Sequence, residues 1–334
     1  MSTNKSDHLY DDPIPAELEA AIGDYSRWNK QQIESEQAQS TITVPLYQYT
    51  GGSGLCGIIE SQSVWFTDYR HLNDPSELVH GVMVAHEVLA ALAQGADRRV
   101  GLFLQMVGDL LVPENFVGNL DFFTASFSKQ RDDLGQWRAY GENGRGFALG
   151  LAPKMFEVAD GTGLQANEMS FVGPVLYDRQ EIFRQEIFAR HKRAIAAASS
   201  IFLAAAEAHA GLLQDKNVGM PFMRRMANEL IASPLIWNCM TSKHVAYENE
   251  REVRLVLMGQ TSNLSPYVKT RLRGSETVPY IAHPFRIRET GAIHEIVVGP
   301  AAAADAEEQV ERMLTSHGVA PSVPITRSEI PYRG

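Results

Sequence analysis

The chain has 334 residues, 44% hydrophobic and 21% charged, with a formal net charge of −10. That is enough apolar content for a full core, as one large domain or two modest ones, while the acidic balance argues against a generic nucleic-acid coat but leaves room for a local basic groove. Cys56 and Cys239 are the only cysteines, so the sequence holds neither a disulfide framework nor a Cys/His cluster with zinc spacing.

Residues 1–15 are polar and acidic, with Pro13 and Pro15 and no apolar segment of the secretory kind. They read as disordered. The longest apolar stretches, 194–206 and 301–304, are too short or too interrupted to span a bilayer, so the expectation is a soluble, cytoplasmic protein without membrane contact. Residues 16–39 carry Leu18, Ala21, Ile22, Tyr25 and Trp28 at helical spacing and then turn polar. Residues 44–50 predict a short strand closed by a glycine-rich turn, followed by a short helix at 55–61 and a second strand at 63–67. His71-Leu72-Asn73-Asp74-Pro75 is a turn in which Asp74 suits a helix N-cap and Pro75 the first helical position. Helices are expected from there to about Ala93 and again over 99–111. Strands follow at 121–128 and 146–151, separated by a helical turn at 137–140 and a glycine-dense loop. Beyond a strand at 168–177, the pattern predicts a long Ala-rich helical region over 178–215 and a helical segment over 221–242, broken at Pro234. After residues 260–284, which read as irregular, a strand–helix–strand tail occupies 293–298, 303–316 and 323–328. Strands and helices without strict alternation suggest an α+β fold rather than a doubly wound sheet.

Residues 246–257, Ala-Tyr-Glu-Asn-Glu-Arg-Glu-Val-Arg-Leu-Val-Leu, pass without a turn signal from carboxylates into an apolar run. If residues 249–257 are extended, Glu248, Glu250, Glu252 and Arg254 share one face, and Arg251, Val253, Leu255 and Leu257 the other. Like charges on one strand face repel each other, so they mark either an edge strand that discourages aggregation or a prepared site. Tyr47 and Tyr49 point the same way on their strand, as do Ser126 and Ser128 on theirs, while Trp137 and Tyr140 stand one helical turn apart as an aromatic wall. The two glycine-rich segments, 51–54 and 141–146, fit neither a P-loop nor a dinucleotide fingerprint. His80 and His86 belong to no metal-binding repeat. Stacking surfaces, hydroxyls, a carboxylate and guanidiniums together suit a nucleotide better than an apolar ligand.

In order, these segments resemble a bacterial protein family catalogued as a domain of unknown function. The motifs are the tyrosine-rich strand around Tyr47 and Tyr49, the Asn73-Asp74-Pro75 turn, and Ser126-Phe127-Ser128. They continue with Trp137 and Tyr140 before Gly144 and Gly146, the block Lys243, Tyr247, Glu248, Glu250 and Arg251, and the tail Ile330-Pro331-Tyr332-Arg333. The resemblance covers roughly residues 46–333. It implies an N-terminal extension over 1–45 and one α+β domain over 46–333, with a helical insertion at about 178–242. That family in turn looks like a distant relative of ADP-ribosyltransferases, which implies a split, mostly antiparallel sheet and NAD as substrate. The first strand departs from that pattern in having no obvious His or Arg. By this resemblance Glu250 is the catalytic carboxylate and Glu248 the neighbour that tunes it. Tyr47, Tyr49, Asn73, Ser126, Ser128, Trp137, Tyr140 and Arg254 hold NAD, with Arg251 or Arg254 on the pyrophosphate and Arg254 favoured because it shares the Glu250 face of a regular strand. No metal is expected. The acceptor would be a macromolecule, protein or nucleic acid, and a role in defence or toxicity would fit; hydrolysis of NAD is the variant in which water accepts. The alternative is a non-catalytic module that senses a nucleotide or a partner. A metal-dependent nuclease would need Glu248, Glu250 or Asp74 to converge with another carboxylate, which the spacing does not demand.

Overall fold

The computed structural model describes residues 14–39, 42–72, 77–116, 120–156, 169–178, 180–319 and 322–332. In chain order the strands are β1 (Leu46–Thr50), β2 (Ser63–Asp68), β3 (Leu120–Ser128), β4 (Phe147–Leu151), β5 (Met169–Pro174), β6 (Leu176–Asp178), β7 (Ser242–His244), β8 (Glu252–Gln260), β9 (Val268–Arg273), β10 (Glu276–Pro284), β11 (Ile293–Val298) and β12 (Ile325–Arg327). The helices are α1 (Ala16–Gln39), α2 (Gly52–Ser61), α3 (Glu77–Ala93), α4 (Arg98–Leu110), α5 (Leu134–Ala139), α6 (Gln180–Ala208), α7 (Ala210–Leu213), α8 (Lys216–Leu230), α9 (Ile236–Met240), α10 (Thr261–Leu264) and α11 (Ala306–Ser316).

One large open sheet runs β12-β11-β4-β1-β3-β2-β10-β9, with β8 added to β3 and β5 to β8. Within it only β11 and β12 run parallel among the described residues, so the expected mostly antiparallel α+β architecture is what the chain adopts. A small parallel pair, β6 and β7, stands apart. The central strand β3 pairs along its whole length with β8, from Leu120 opposite Gln260 to Ser128 opposite Glu252. Its other edge is shared: β1 meets it at Ser128, and β2 meets it at Phe123 and Thr124. Residues 125–127 have no ladder partner on that edge among the described residues. The sheet is split there.

Side-chain alternation then assigns the two faces. Phe123, Ala125 and Phe127 of β3 and Val253, Leu255 and Leu257 of β8 point to one side, where Leu55 and Ile59 of α2 and Val310 and Leu314 of α11 complete an apolar core. The opposite side carries Phe122, Val256 and Met258 under a helical layer built by α1, α3, α4, α6 and α8. The Ala-rich α6 is a close-packed core helix, with Ala194, Ala198 and Ala205 buried beside Phe103 and Phe222. Each large side chain buried in this way contributes about 1.5–3 kcal/mol relative to exposure. No helix among the described residues is long and apolar enough to cross a membrane.

Three sequence expectations are corrected. Residues 260–284 are largely a hairpin, β9–β10, closed near Gly274 in the left-handed region at φ +62. Most of β9 is exposed, so no apolar alternation announced it. The carboxylate run is not one strand: Val245–Glu250 forms a 3₁₀ turn capped by His244, and Arg251 turns the chain through the left-handed region at φ 43. The strand begins at Glu252, so Glu248, Glu250 and Glu252 never share a strand face. Pro234 does not break the helix; a π-helical turn, Ile231–Leu235, absorbs its missing N–H and leads directly into α9. The Asn73-Asp74-Pro75 turn and residues 1–13 lie outside the described residues.

Candidate functional site

A cleft of about 260 Å³ opens at the split in the sheet. Tyr47 and Tyr49 of β1, Ser126 and Ser128 of β3, and Trp65 and Thr67 of β2 line it, joined by Tyr140, Lys243, Glu250, Glu252 and, from the hairpin, Arg271 and Arg273. Register explains the convergence. Tyr47 lies opposite Ser128, Ser128 opposite Glu252, and Thr67 opposite Thr124, so these residues fall on the same face of the sheet around the gap.

Glu250 is held from two sides. Ser128 Oγ donates to its backbone carbonyl at 2.6 Å, which ties the 3₁₀ turn to the end of β3, and Ser128 in turn accepts from Gln130 N at 3.0 Å. The Glu250 carboxylate accepts from Tyr140 OH at 3.0 Å and from Lys243 Nζ at 2.6 Å. Lys243 is itself buried and reaches Glu252 at 3.1 Å, and Glu252 forms a two-pronged pair with Arg254 at 2.8 and 2.9 Å. Arg254 also donates to the Met240 carbonyl at 2.5 Å, and the Glu252 N–H donates to Tyr177 OH at 2.9 Å. Charges therefore alternate from the cleft into the core: Glu250, Lys243, Glu252, Arg254. Burial alone would raise the Glu252 carboxyl, but Arg254 and Lys243, with a hydrogen bond from Ser126, outweigh it and hold the group well below the ordinary carboxylate range.

The opposite wall is cationic and aromatic. Arg271 Nη2 donates to Thr67 Oγ1 at 3.3 Å, and its guanidinium lies 5.0 Å from the Trp65 ring centre. Trp65 in turn packs against Tyr280 at 4.5 Å. At the rim, Glu276 pairs with Arg273 at 2.9 Å and with His71 at 2.7 Å, and these two partners lower its pKa.

Of the residues singled out from sequence, Tyr47, Tyr49, Ser126, Ser128, Tyr140 and Glu250 meet at this cleft. The two tyrosines present their rings to it, while their hydroxyls are engaged elsewhere. Tyr47 OH donates to Glu295 at 2.8 Å, a carboxylate that Arg131 also grips, and burial pushes this phenol's pKa up. Tyr49 OH donates to the Gln130 carbonyl and accepts from Asp133 N, and burial raises its pKa too. Three assignments are corrected by position. Trp137 is fully buried; it packs edge-on against Tyr49 at 4.7 Å and donates to Asp132 at 2.6 Å, so it props the cleft wall from behind. Arg254 is 1% exposed and locked on Glu252, so it presents no guanidinium to a ligand. Glu248 does not line the cleft; its carbonyl accepts from Arg251 N in the turn. Asn73 lies outside the described residues. Lys243, Glu252, Trp65, Arg271 and Arg273 were not foreseen as site residues. The alternating cations at 269, 271 and 273 were the signal for the last two. Among the described residues no group of three or more His, Cys, Asp or Glu side chains is disposed to hold a metal ion.

A family model described as a protein of unknown function (DUF2971) matches residues 136–255, the segment that carries Tyr140, Lys243, Glu250, Glu252 and Arg254. Over that segment the family resemblance drawn from the motifs is shown. No curated protein and no solved structure matches the chain.

Proposed function

We propose that the chain consumes NAD as an ADP-ribosyltransferase, with Glu250 as its catalytic carboxylate. One observation carries this reading: Glu250 stands at the split of a mostly antiparallel sheet, fixed through its backbone by Ser128 and through its side chain by Tyr140 and Lys243, beside a cleft floored by Ser126. In the reaction the bond between ribose C1′ and the nicotinamide nitrogen breaks and its electron pair leaves with nicotinamide. Positive charge spreads over the ribose, and a carboxylate that accepts a hydrogen bond from the 2′-hydroxyl stabilises it. An acceptor nucleophile then bonds to C1′ and releases its proton; when water is the acceptor the product is free ADP-ribose. The acceptor of the transferase is a macromolecule.

A second reading, a non-catalytic nucleotide-sensing module, is favoured by the fact that both Glu250 carboxylate oxygens already have partners, Tyr140 on one and Lys243 on the other. Glu250→Gln separates the two. The transferase loses nicotinamide release from NAD by on the order of 100-fold or more, with its melting temperature little changed; a sensor retains its nucleotide affinity. If folded wild-type protein neither releases nicotinamide nor transfers labelled ADP-ribose to a cell-extract macromolecule, and carries no nucleotide by mass spectrometry, the transferase reading is wrong.

A further inference from the structure

The far wall of the cleft has a charge arrangement that the fold alone leaves uncompensated. Arg271 and Arg273 alternate on one face of β9, so two guanidiniums stand on neighbouring positions of the same strand face. Arg273 has Glu276 at 2.9 Å. Arg271 has no carboxylate within ion-pair distance among the described residues, and its Nε is buried without a hydrogen-bond partner. What it does have is the Thr67 hydroxyl and the face of Trp65. Burial first, and Arg273 second, push its pKa down from the ordinary value, the direction expected of a cation that lacks a counter-charge. A half-buried guanidinium kept beside a second cation is costly unless an anion joins it. Contact with the Trp65 ring and the bond to Thr67 hold the guanidinium at the wall of the cleft, and such a fork suits an oxygen-rich anion.

We propose that Arg271, with Arg273 and the Thr67 hydroxyl, forms a phosphate subsite for a small nucleoside diphosphate group, at the end of the cleft away from Glu250. The inference rests on the reading that the cleft takes a nucleotide, and it supplies the phosphate contact that the buried Arg254 does not make. Polarity is set by the two walls: the ribose end of the ligand lies at Glu250, Tyr140 and Ser126, and the phosphates at Arg271 and Arg273.

The test is titration of the full chain with ADP, adenosine and inorganic pyrophosphate by calorimetry, using wild type, Arg271→Gln, Arg271→Lys and Arg273→Gln. ADP is expected to bind at least ten-fold more tightly than adenosine. Arg271→Gln should cost at least ten-fold in ADP affinity and leave adenosine affinity unchanged, and Arg271→Lys should cost less than Arg271→Gln because it keeps the charge without the fork. Arg273 is exposed, so Arg273→Gln should fold normally and weaken ADP and pyrophosphate by a smaller factor; it stands as the probe if Arg271→Gln proves unstable. Equal binding of ADP and adenosine, unchanged ADP affinity in folded Arg271→Gln and Arg273→Gln, or no binding of any phosphorylated probe overturns the subsite. Tight, Arg271-dependent ADP binding without nicotinamide release leaves the subsite standing and removes the transferase. Turnover of NAD with ADP affinity indifferent to both arginines does the reverse.

Discussion

At the scale of single residues, the decisive feature is the row of alternating charges from Glu250 to Arg254. Glu252 is buried between Lys243 and Arg254, and although burial pushes its carboxyl up, these two cations hold it well below the ordinary carboxylate range. A carboxyl whose folded value lies below its unfolded one stabilises the fold fully above the unfolded value, and that contribution is lost as pH falls through the folded value. Urea midpoints should therefore decline as pH falls below the ordinary carboxylate range, and part of that slope should vanish in Glu252→Gln. The variant leaves Arg254 and Lys243 buried without their shared partner, which should cost about 3–5 kcal/mol at neutral pH. An unfolding curve for Glu252→Gln that overlays wild type at pH 7 would show that the row is not closed as described.

At the scale of elements, sequence pattern was sufficient where burial imposes a period and insufficient where it does not. The core strands β3 and β8 and the helices α3, α4 and α6 carry apolar residues at the spacing their buried faces require. The hairpin β9–β10 shows mostly exposed residues, and Leu272, 76% exposed, breaks any apolar alternation, so only the alternating cations at 269, 271 and 273 pointed to it. The turn before β8 was missed because a non-glycine residue, Arg251, adopts the left-handed conformation there. Close packing of elements gives a sharp prediction at Gly81 of α3, where a Cβ would lie 2.3 Å from Cys239 Cα of α9. Helix propensity alone favours Gly81→Ala by up to about 1 kcal/mol. Overpacking against backbone should reverse the sign and destabilise by about 1–3 kcal/mol. A variant that melts higher than wild type would show that α3 and α9 do not approach so closely.

At the scale of the whole molecule, α1 belongs to the helical core although motif resemblance starts only at about residue 46. Leu18, Ile22, Tyr25 and Ile33 are buried beside α6 and α8, and Ser26 Oγ donates to Glu229 at 3.0 Å. Four such side chains at about 1.5–3 kcal/mol each amount to much of the net stability of an ordinary domain, about 5–15 kcal/mol. A chain lacking residues 1–41 should therefore lose its cooperative thermal transition or precipitate. If it melts within a few degrees of full length, the helix is an ornament and the core is complete without it.

The sequence by itself determined the α+β class, the cores of most strands and helices, and the set of Tyr47, Tyr49, Ser126, Ser128, Tyr140 and Glu250 that meets at the cleft. The class and the cores follow from local periodicity, while the site residues were drawn together by the family resemblance, since the strand reading around Glu250 did not hold. Only the tertiary structure decided which charges face a ligand and which face each other. Arg254 and Trp137 were withdrawn into the core by Glu252 and Tyr49, while Lys243 and Arg271 arrived from segments at the two ends of β8 and beyond. Ion pairing and burial depend on distances across the sheet, and no spacing along the chain encodes them.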